Sequence, residues 1–149
     1  MTEIAFYHLE QWPLERALPM LLEKTLAAGK RALVLAASEA RIESLNGALW
    51  TYDAASWLPH GSSRDGDDEE QPVWLAVDGD NANSADYLFL TDGATHSALD
   101  GFERCFVLFD GNDSSALEAA RAQWRELKDT SHELAYWRQG AGGGWEKAH

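Results

Sequence analysis

The sequence predicts an α/β fold, a single three-layer α/β/α domain with a mainly parallel β-sheet. Short apolar runs alternate with stretches of helical periodicity in the first half of the chain, which is typical of parallel strands joined by right-handed crossovers. The run "RALVLAA" at 31–37 is apolar on both faces, as expected of a strand covered by helices on both sides. The length of 149 residues fits one domain, so we predict a single domain over 1–149.

The predicted order of elements is β-α-β-α-β-β-β-α. In order, the elements are a strand at 3–9, a helix at 13–30, a strand at 31–37, a helix at 39–50, strands at 72–77, 86–91 and 104–110, and a helix at 115–129. In the first helix, Leu14, Leu18 and Leu21 form the apolar stripe of a helix that buries one face, and Gly29 is suited to end it. Asp113 or Ser114 is the predicted N-cap of the last helix.

Two segments are not assigned to a single regular element. The acidic stretch at about 61–71 is predicted to be a mobile loop. The chain from 131 onward is expected to be helical or irregular, with a flexible glycine-rich tail at about 140–149.

Composition limits the function. The formal net charge is −13, which argues against strong direct binding of nucleic acid through its phosphates. No apolar run reaches the ~18–20 residues of a membrane span, and the N-terminus lacks the pattern of a signal peptide. Cys105 is the single cysteine, so it cannot form an internal disulfide, and we expect it to be a small buried hydrophobe. We therefore expect a cytoplasmic protein that does not associate with membranes.

The motifs of nucleotide, metal and catalytic sites are missing. No glycine follows the first strand in "HLEQWP", where a dinucleotide fingerprint requires one. The Gly-Lys pair in "AAGKR" lacks the other residues of a phosphate loop. The histidines do not have metal-ligand spacing, and there is no G-x-S-x-G motif. We predict no catalytic residue, no cofactor and no metal.

The last predicted helix carries a basic stripe. Arg121, Arg125 and Lys128 follow i, i+4, i+7 spacing, and Trp124 lies between them on the helix surface. Such a face can hold a carboxylate by charge-assisted hydrogen bonds while the indole contacts an apolar side chain.

The same stripe has a second interpretation. Glu118 and Glu126 are spaced to form ordinary ion pairs with the basic residues, which would leave a solvated helix face. Trp124 would then point into the core. The spacing by itself does not decide between the two.

A second unusual segment is "ALWTYDAASWLPHG" at 48–61, which follows a predicted helix and is rich in bulky apolar side chains. Tryptophan is enriched at protein interfaces and often carries much of the binding energy there. The segment either folds into the core or forms a docking surface.

Several segments occur together in an order that resembles a known family. They are "FYHL", "AAGKRALVLAAS", "LNGALWTYDAASWLPHG", "QPVWL", "FERCFVLFDG", "AARAQWRELKDTSHELAYW" and "GGGWEK". Together they resemble the chi subunits of bacterial DNA polymerase III over essentially the whole chain. The resemblance implies a Rossmann-like α/β/α fold without a nucleotide site, and a non-enzymatic accessory subunit of the replicative holoenzyme.

The resemblance also implies partners and residues. Such subunits link the clamp loader to the single-stranded-DNA-binding protein by capturing its acidic C-terminal tail, which ends in phenylalanine. By position, Arg121, Trp124 and Arg125 match the residues that bind this tail, and Lys128 is a further candidate.

Family members also bind the psi subunit. By position, Trp50, Trp57 and Pro59 match its binding surface, and His60 follows in the same motif. On this basis the aromatic segment is expected to be a docking surface that is partly anchored in the core.

Two other functions stay open at this point. One is a nucleotide-dependent enzyme on a Rossmann-like fold, although the fold alone is its support. The other is a single-stranded DNA binder that uses its tryptophans as stacking platforms, which the negative charge opposes.

Overall fold

The structure is a computed structural model, and it describes residues 2–10, 12, 14–51, 61–62, 72–77, 85–91, 93–94, 99–130, 132–139 and 145–147. The strands are β1 (Glu3–Leu9), β2 (Ala32–Leu35), β3 (Gly61–Ser62), β4 (Val73–Ala76), β5 (Tyr87–Thr91), β6 (Arg104–Asp110), β7 (Glu133–Gln139) and β8 (Trp145–Lys147). The helices are α1 (Leu14–Ala27), α2 (Glu39–Thr51) and α3 (Ser114–Leu127), with a short 3-10 turn at Leu99–Gly101. None of the described helices is both long and apolar enough to span a membrane.

The strands form one sheet in the order β3-β4-β2-β5-β6-β1-β7-β8. Every neighbouring pair is parallel except β7 and β8, which are antiparallel. The carboxyl ends of β1, β5 and β6 therefore meet at one edge of the sheet, next to the start of α3. The predicted α/β fold with a mainly parallel sheet is confirmed.

Helices cover both faces of the sheet. Alternation along β1 divides the core, because successive side chains of a strand point to opposite faces. Tyr7 and Leu9 pack in the core beneath α1 and α2, whereas Ile4 and Phe6 pack in the core beneath α3. The three layers of the sequence prediction are thus present.

The end of the chain differs from the prediction. Instead of helix or irregular structure, residues 133–139 form β7, which pairs in parallel with β1 from the register Glu3↔Glu133 onward. Trp145–Lys147, within the tail that we expected to be flexible, pairs with β7 as β8. Pairing with the distant strand β1 stabilises this segment as a strand.

Two smaller differences concern a loop and a helix. Gly61–Ser62, inside the predicted acidic loop, pairs with β4 as the short strand β3, and the rest of that loop lies outside the described residues. The first helix, predicted at 13–30, is α1 at Leu14–Ala27, and it continues through the buried Pro19 because the surrounding apolar side chains hold it against the sheet.

Candidate protein-binding site on α3 and β7

The helix α3 begins at a side-chain cap. The Asp113 carboxylate accepts a hydrogen bond from the backbone N–H of Ser115 at 2.9 Å and from that of Ala116 at 3.4 Å. This satisfies donors that the first turn of a helix leaves without partners. The prediction of an N-cap at Asp113 or Ser114 is confirmed for Asp113, and the cap fixes where the basic stripe starts along the sheet.

Trp124 lies on the sheet side of α3. It is partly buried against the core, with its ring edge-on to Phe6 at 5.3 Å and to Tyr136 at 5.8 Å between centroids. Edge-to-face pairs of this kind contribute beyond the area that they bury. Trp124 therefore anchors the helix, and the unburied part of its ring lies next to the basic stripe.

The three cations of the stripe are exposed. Arg121, Arg125 and Lys128 all point to solvent, and none of them forms an ion pair with a described residue. In particular, the pairs with Glu118 and Glu126 that a solvated helix face would have are not formed. The cations are thus available for a carboxylate from another molecule.

β7 adds groups that the sequence analysis did not identify. The Tyr136 hydroxyl and His8 Nδ1 are hydrogen-bonded at 2.6 Å. Arg121 and Arg138 both lie close enough to lower the pKa of Tyr136, although burial acts more strongly and raises it overall. Arg121 of α3 and Arg138 of β7 are therefore both near Tyr136, whose ring contacts Trp124.

Glu10 neutralises the charge of Arg138. It accepts hydrogen bonds from Arg138 Nη2 at 2.7 Å and Arg138 Nε at 2.9 Å, and these hold the pKa of its carboxyl below the usual value. Glu10 Oε1 also lies 3.1 Å from His8 Nε2. The pKa of His8 is lowered, mainly by burial and against the attraction of Glu10, so the ring favours its neutral form.

Gly111, in the turn after β6, packs directly against His8. A Cβ added to Gly111 would lie 2.0 Å from His8 Nε2, and the backbone N–H of Gly111 donates to the Leu9 carbonyl at 2.7 Å. Only glycine fits a backbone that approaches a side chain so closely. The turn after β6 therefore orders the histidine at the end of β1.

The signal for the β7 residues was present in the sequence. In "ELAYWRQ", alternation places Leu134, Tyr136 and Arg138 on the face covered by α3. Recognising the segment as a strand would have placed Tyr136 and Arg138 beside the helix. We define Arg121, Trp124, Arg125, Tyr136 and Arg138 as the α3–β7 face.

The structure describes the remaining predicted site residues only in part. Lys128 is the C-cap of α3 and extends the line of cations beyond the last turn. Trp50 lies in α2, where only its backbone is described. Trp57, Pro59 and His60 lie outside the described residues.

The sheet edge where α/β proteins hold nucleotides has the wrong charge for phosphates. A cavity of about 730 Å³ opens at the carboxyl ends of β1, β5 and β6, and four carboxylates line it, from Glu10, Glu15, Asp110 and Asp113. Among its described lining residues the one cation is Arg41, which pairs with Glu15. Asp113 already occupies the amides at the start of α3, where an anion would bind.

Metal ligands are not clustered either. The described residues contain no group of three or more His, Cys, Asp or Glu side chains that could hold a metal ion.

Comparison with solved structures shows the same fold in distant proteins. The C-terminal domain of S. cerevisiae Dbp5, in a structure with Gle1 and IP6, is 9% identical, with a TM-score of 0.56 and coverage of 91% of this chain and 90% of that one. A structure of the C-terminal domain of the DEAD-box protein Dbp5 is 12% identical, with a TM-score of 0.54 and the same coverage. At such low identity the likeness concerns the fold alone.

Sequence comparison is more specific. A protein of Rickettsia prowazekii (strain Madrid E), the "Probable DNA polymerase III subunit chi", is 29% identical over 90 residues, which are 60% of this chain and 54% of that protein. The match thus spans about half the length of this relative. The family model described as "DNA polymerase III chi subunit, HolC" matches residues 1–135. Because that match runs from β1 to the first residues of β7 and so covers more than half of the chain, the chain belongs to the family of DNA polymerase III chi subunits.

Proposed function

We propose that this chain is a non-catalytic accessory subunit of DNA polymerase III that binds the acidic C-terminal tail of the single-stranded-DNA-binding protein through the α3–β7 face. Such a role would place it in the cytoplasm, with the replication machinery. The observation that carries the proposal is a group of exposed cations that form no ion pair with a described residue, beside two aromatic rings, in a chain of net charge −13.

The chemistry of the face fits such a ligand. A chain-terminal carboxylate and nearby aspartates need cations, and Arg121 and Arg125 offer forked donors suited to carboxylates. A terminal phenylalanine needs an apolar surface, and the partly exposed rings of Trp124 and Tyr136 provide one. Arg138 is already engaged by Glu10, so we expect it to act mainly through its charge.

The rest of the molecule determines where the tail docks. Negative charge elsewhere repels an acidic ligand, so the basic face also selects the docking position. Attraction between exposed charges is screened by salt, with a Debye length of ~10 Å at 0.1 M. Binding should therefore weaken as the salt concentration rises.

The test is fluorescence anisotropy of a labelled acidic peptide ending in Asp-Ile-Pro-Phe, titrated with the protein at low and high salt. We expect Arg121→Ala and Arg125→Ala each to weaken binding about tenfold, as for loss of a charge-assisted hydrogen bond. Arg16→Ala is the matched control, since Arg16 is an exposed arginine on α1 that stacks over Trp12 at 4.2 Å. It should leave the affinity unchanged.

The same assay separates the site from general charge attraction. A peptide lacking its final phenylalanine should bind much more weakly to the unaltered protein. If Arg121→Ala and Arg125→Ala behave like Arg16→Ala, the site assignment is wrong. If no peptide binds at any salt concentration, the proposed function itself is wrong.

The second part of the proposal concerns the psi subunit. The family membership and the aromatic segment at 48–61 support an interface that includes Trp50, Trp57, Pro59 and His60. Co-purification with a psi subunit should be lost in Trp57→Ala while tail binding is kept. Unchanged co-purification would contradict this interface.

The alternative functions have direct tests as well. A nucleotide-dependent enzyme would give a saturable heat signal with ATP or NAD, whereas the acidic cavity at the sheet edge leads us to expect none. A direct single-stranded DNA binder would give an anisotropy signal with an oligonucleotide at low salt. The net charge of −13 leads us to expect none there either.

A further inference from the structure

We propose that a second cavity, on the α1 side of the sheet, binds a small planar aromatic carboxylate. This cavity of about 290 Å³ is separate from the α3–β7 face, since it lies in the other layer of the fold. Five aromatic side chains from five strands line it: Tyr7, Tyr87, Phe106, Trp137 and Trp145. We call it the aromatic cavity, and the proposal is independent of tail binding.

The aromatic side chains that line the cavity contact one another, and these contacts hold their orientations. Tyr7 is at the centre, with its ring nearly parallel to that of Phe106 at 5.8 Å and to that of Trp137 at 6.5 Å. The ring of Trp145 stands edge-on to Tyr7 at 4.9 Å. Since β8 is held against β7 by the register Gln139↔Trp145, the last wall is fixed by backbone pairing. The cavity therefore presents flat apolar surfaces in a defined arrangement, which suits a planar ring.

The polar groups of the aromatic cavity are donors. Two cations, Lys24 and Arg104, line it, and its described lining contains no carboxylate. Lys24 is exposed and forms no ion pair with a described residue. The charge of the cavity is thus opposite to that of the molecule as a whole, which favours an anionic ligand.

Arg104 has unused hydrogen-bonding capacity. Its guanidinium lies over the ring of Phe106 at 4.8 Å and over that of Tyr87 at 5.6 Å, which holds its orientation. Its Nε is buried and has no hydrogen-bond partner in the described part of the chain, and Nη2 makes one long contact of 3.4 Å with Glu3. The Arg104 side chain is 35% exposed, so a carboxylate in the cavity can accept charge-assisted hydrogen bonds from the guanidinium N–H groups that face it.

Tyr7 supplies a further donor. The side chain is 8% exposed, and no described residue forms a hydrogen bond with its hydroxyl. Burial raises the pKa of this phenol, so the hydroxyl keeps its proton and can donate to an anion at neutral pH.

Together these features define the ligand class. The ring of an aromatic acid would lie between the aromatic walls, and its carboxylate would face Arg104, Lys24 and the Tyr7 hydroxyl. The small volume is near the lower limit of ligand pockets, which favours a low-molecular-weight compound over an extended peptide. A neutral ring would lack the charge attraction of Lys24 and Arg104, and a cationic ring would be repelled by them.

The test compares 1-naphthoate with 1-naphthamide as probes, using isothermal titration calorimetry on the full chain. We expect saturable binding of 1-naphthoate, and binding of the uncharged amide that is at least tenfold weaker. Arg104→Gln should weaken naphthoate binding at least tenfold and change amide binding little. Trp145→Ala should weaken both. In NMR spectra, the indole N–H signals of Trp137 and Trp145 should shift on addition of 1-naphthoate.

Two controls separate binding from folding. Arg16→Gln removes a cation from the same helix layer without touching the aromatic cavity and should keep the affinity for naphthoate. Arg104→Gln should keep its affinity for the acidic tail peptide, which shows that the variant is folded. Equal affinity for acid and amide, no saturable binding of 1-naphthoate at millimolar concentration, or an unchanged affinity in Arg104→Gln would overturn the proposal.

Discussion

The helices α1 and α3 have the same length of 14 residues and lie on opposite faces of the sheet, yet they bury very different surfaces. In α1, the buried residues are Leu14, Ala17, Leu18, Pro19, Leu21, Leu22 and Thr25. In α3, Ala120 alone is fully buried, and the other inward side chains are partly exposed. The first helix is thus committed to the core, whereas the second keeps most of its surface for other contacts. Equal length and helical periodicity do not distinguish these two roles.

The largest expected effect is that of truncating a core side chain in each helix. Leu22 is 0% exposed in α1, so Leu22→Ala should lower the free energy of unfolding by about 2–5 kcal/mol. Leu127→Ala, the matched change in α3, should cost less, because Leu127 is only partly buried. Urea denaturation monitored by circular dichroism gives both values. Equal losses would mean that α3 is as tightly integrated into the core as α1.

A loss of the helix cap is the next effect in size. Because α3 has few buried side chains, its first turn depends on the Asp113 carboxylate, and Asp113→Ala should cost about 0.5–2 kcal/mol. Asp129→Ala is the matched control, since Asp129 is an exposed aspartate beyond the other end of the helix. It should cost nothing, because a negative charge is not favourable there. Similar losses in the two variants would show that the cap does not support α3.

The part of the α3–β7 face that depends on local spacing could be predicted from the sequence. Helical periodicity placed Arg121, Arg125 and Lys128 on one stripe, and the structure has all three exposed on α3. It left the direction of Trp124 open, since an indole at the border of a helix face can turn either way. The structure decides this through contacts with Phe6 and with Tyr136 of β7.

The missing half of the face depends on pairing between distant segments. His8 and Tyr136 are 128 positions apart in the chain, and the parallel register of β1 and β7 brings them together. The aromatic cavity arises in the same way, because its walls come from five strands. Local patterns predict elements and their exposed faces, whereas a site shared by several strands depends on their order in the sheet.

The smallest expected effect is a dependence of the free energy of unfolding on pH, and it comes from His8 on the α3 side of the sheet. His8, on the α3 side, has a lowered pKa because burial outweighs the attraction of Glu10, and Arg138 and Arg121 act in the same direction as burial. Since these influences partly cancel, the net effect on stability should be modest. Below about pH 6.5, the ordinary value for histidine, the unfolded chain binds a proton more readily than the folded one.

Stability should therefore be greatest above about pH 6.5 and should decline as the pH falls towards the folded pKa of His8, below which this contribution stays constant. In His8→Gln, the decline between about pH 7.5 and 5.5 should be smaller, as measured by urea denaturation at each pH. Arg16→Gln, which removes an exposed charge from α1 on the other face of the sheet, should keep the decline of the unaltered protein. If His8→Gln keeps the full decline, burial of this ring does not couple protons to folding, and another titratable group must account for the pH dependence.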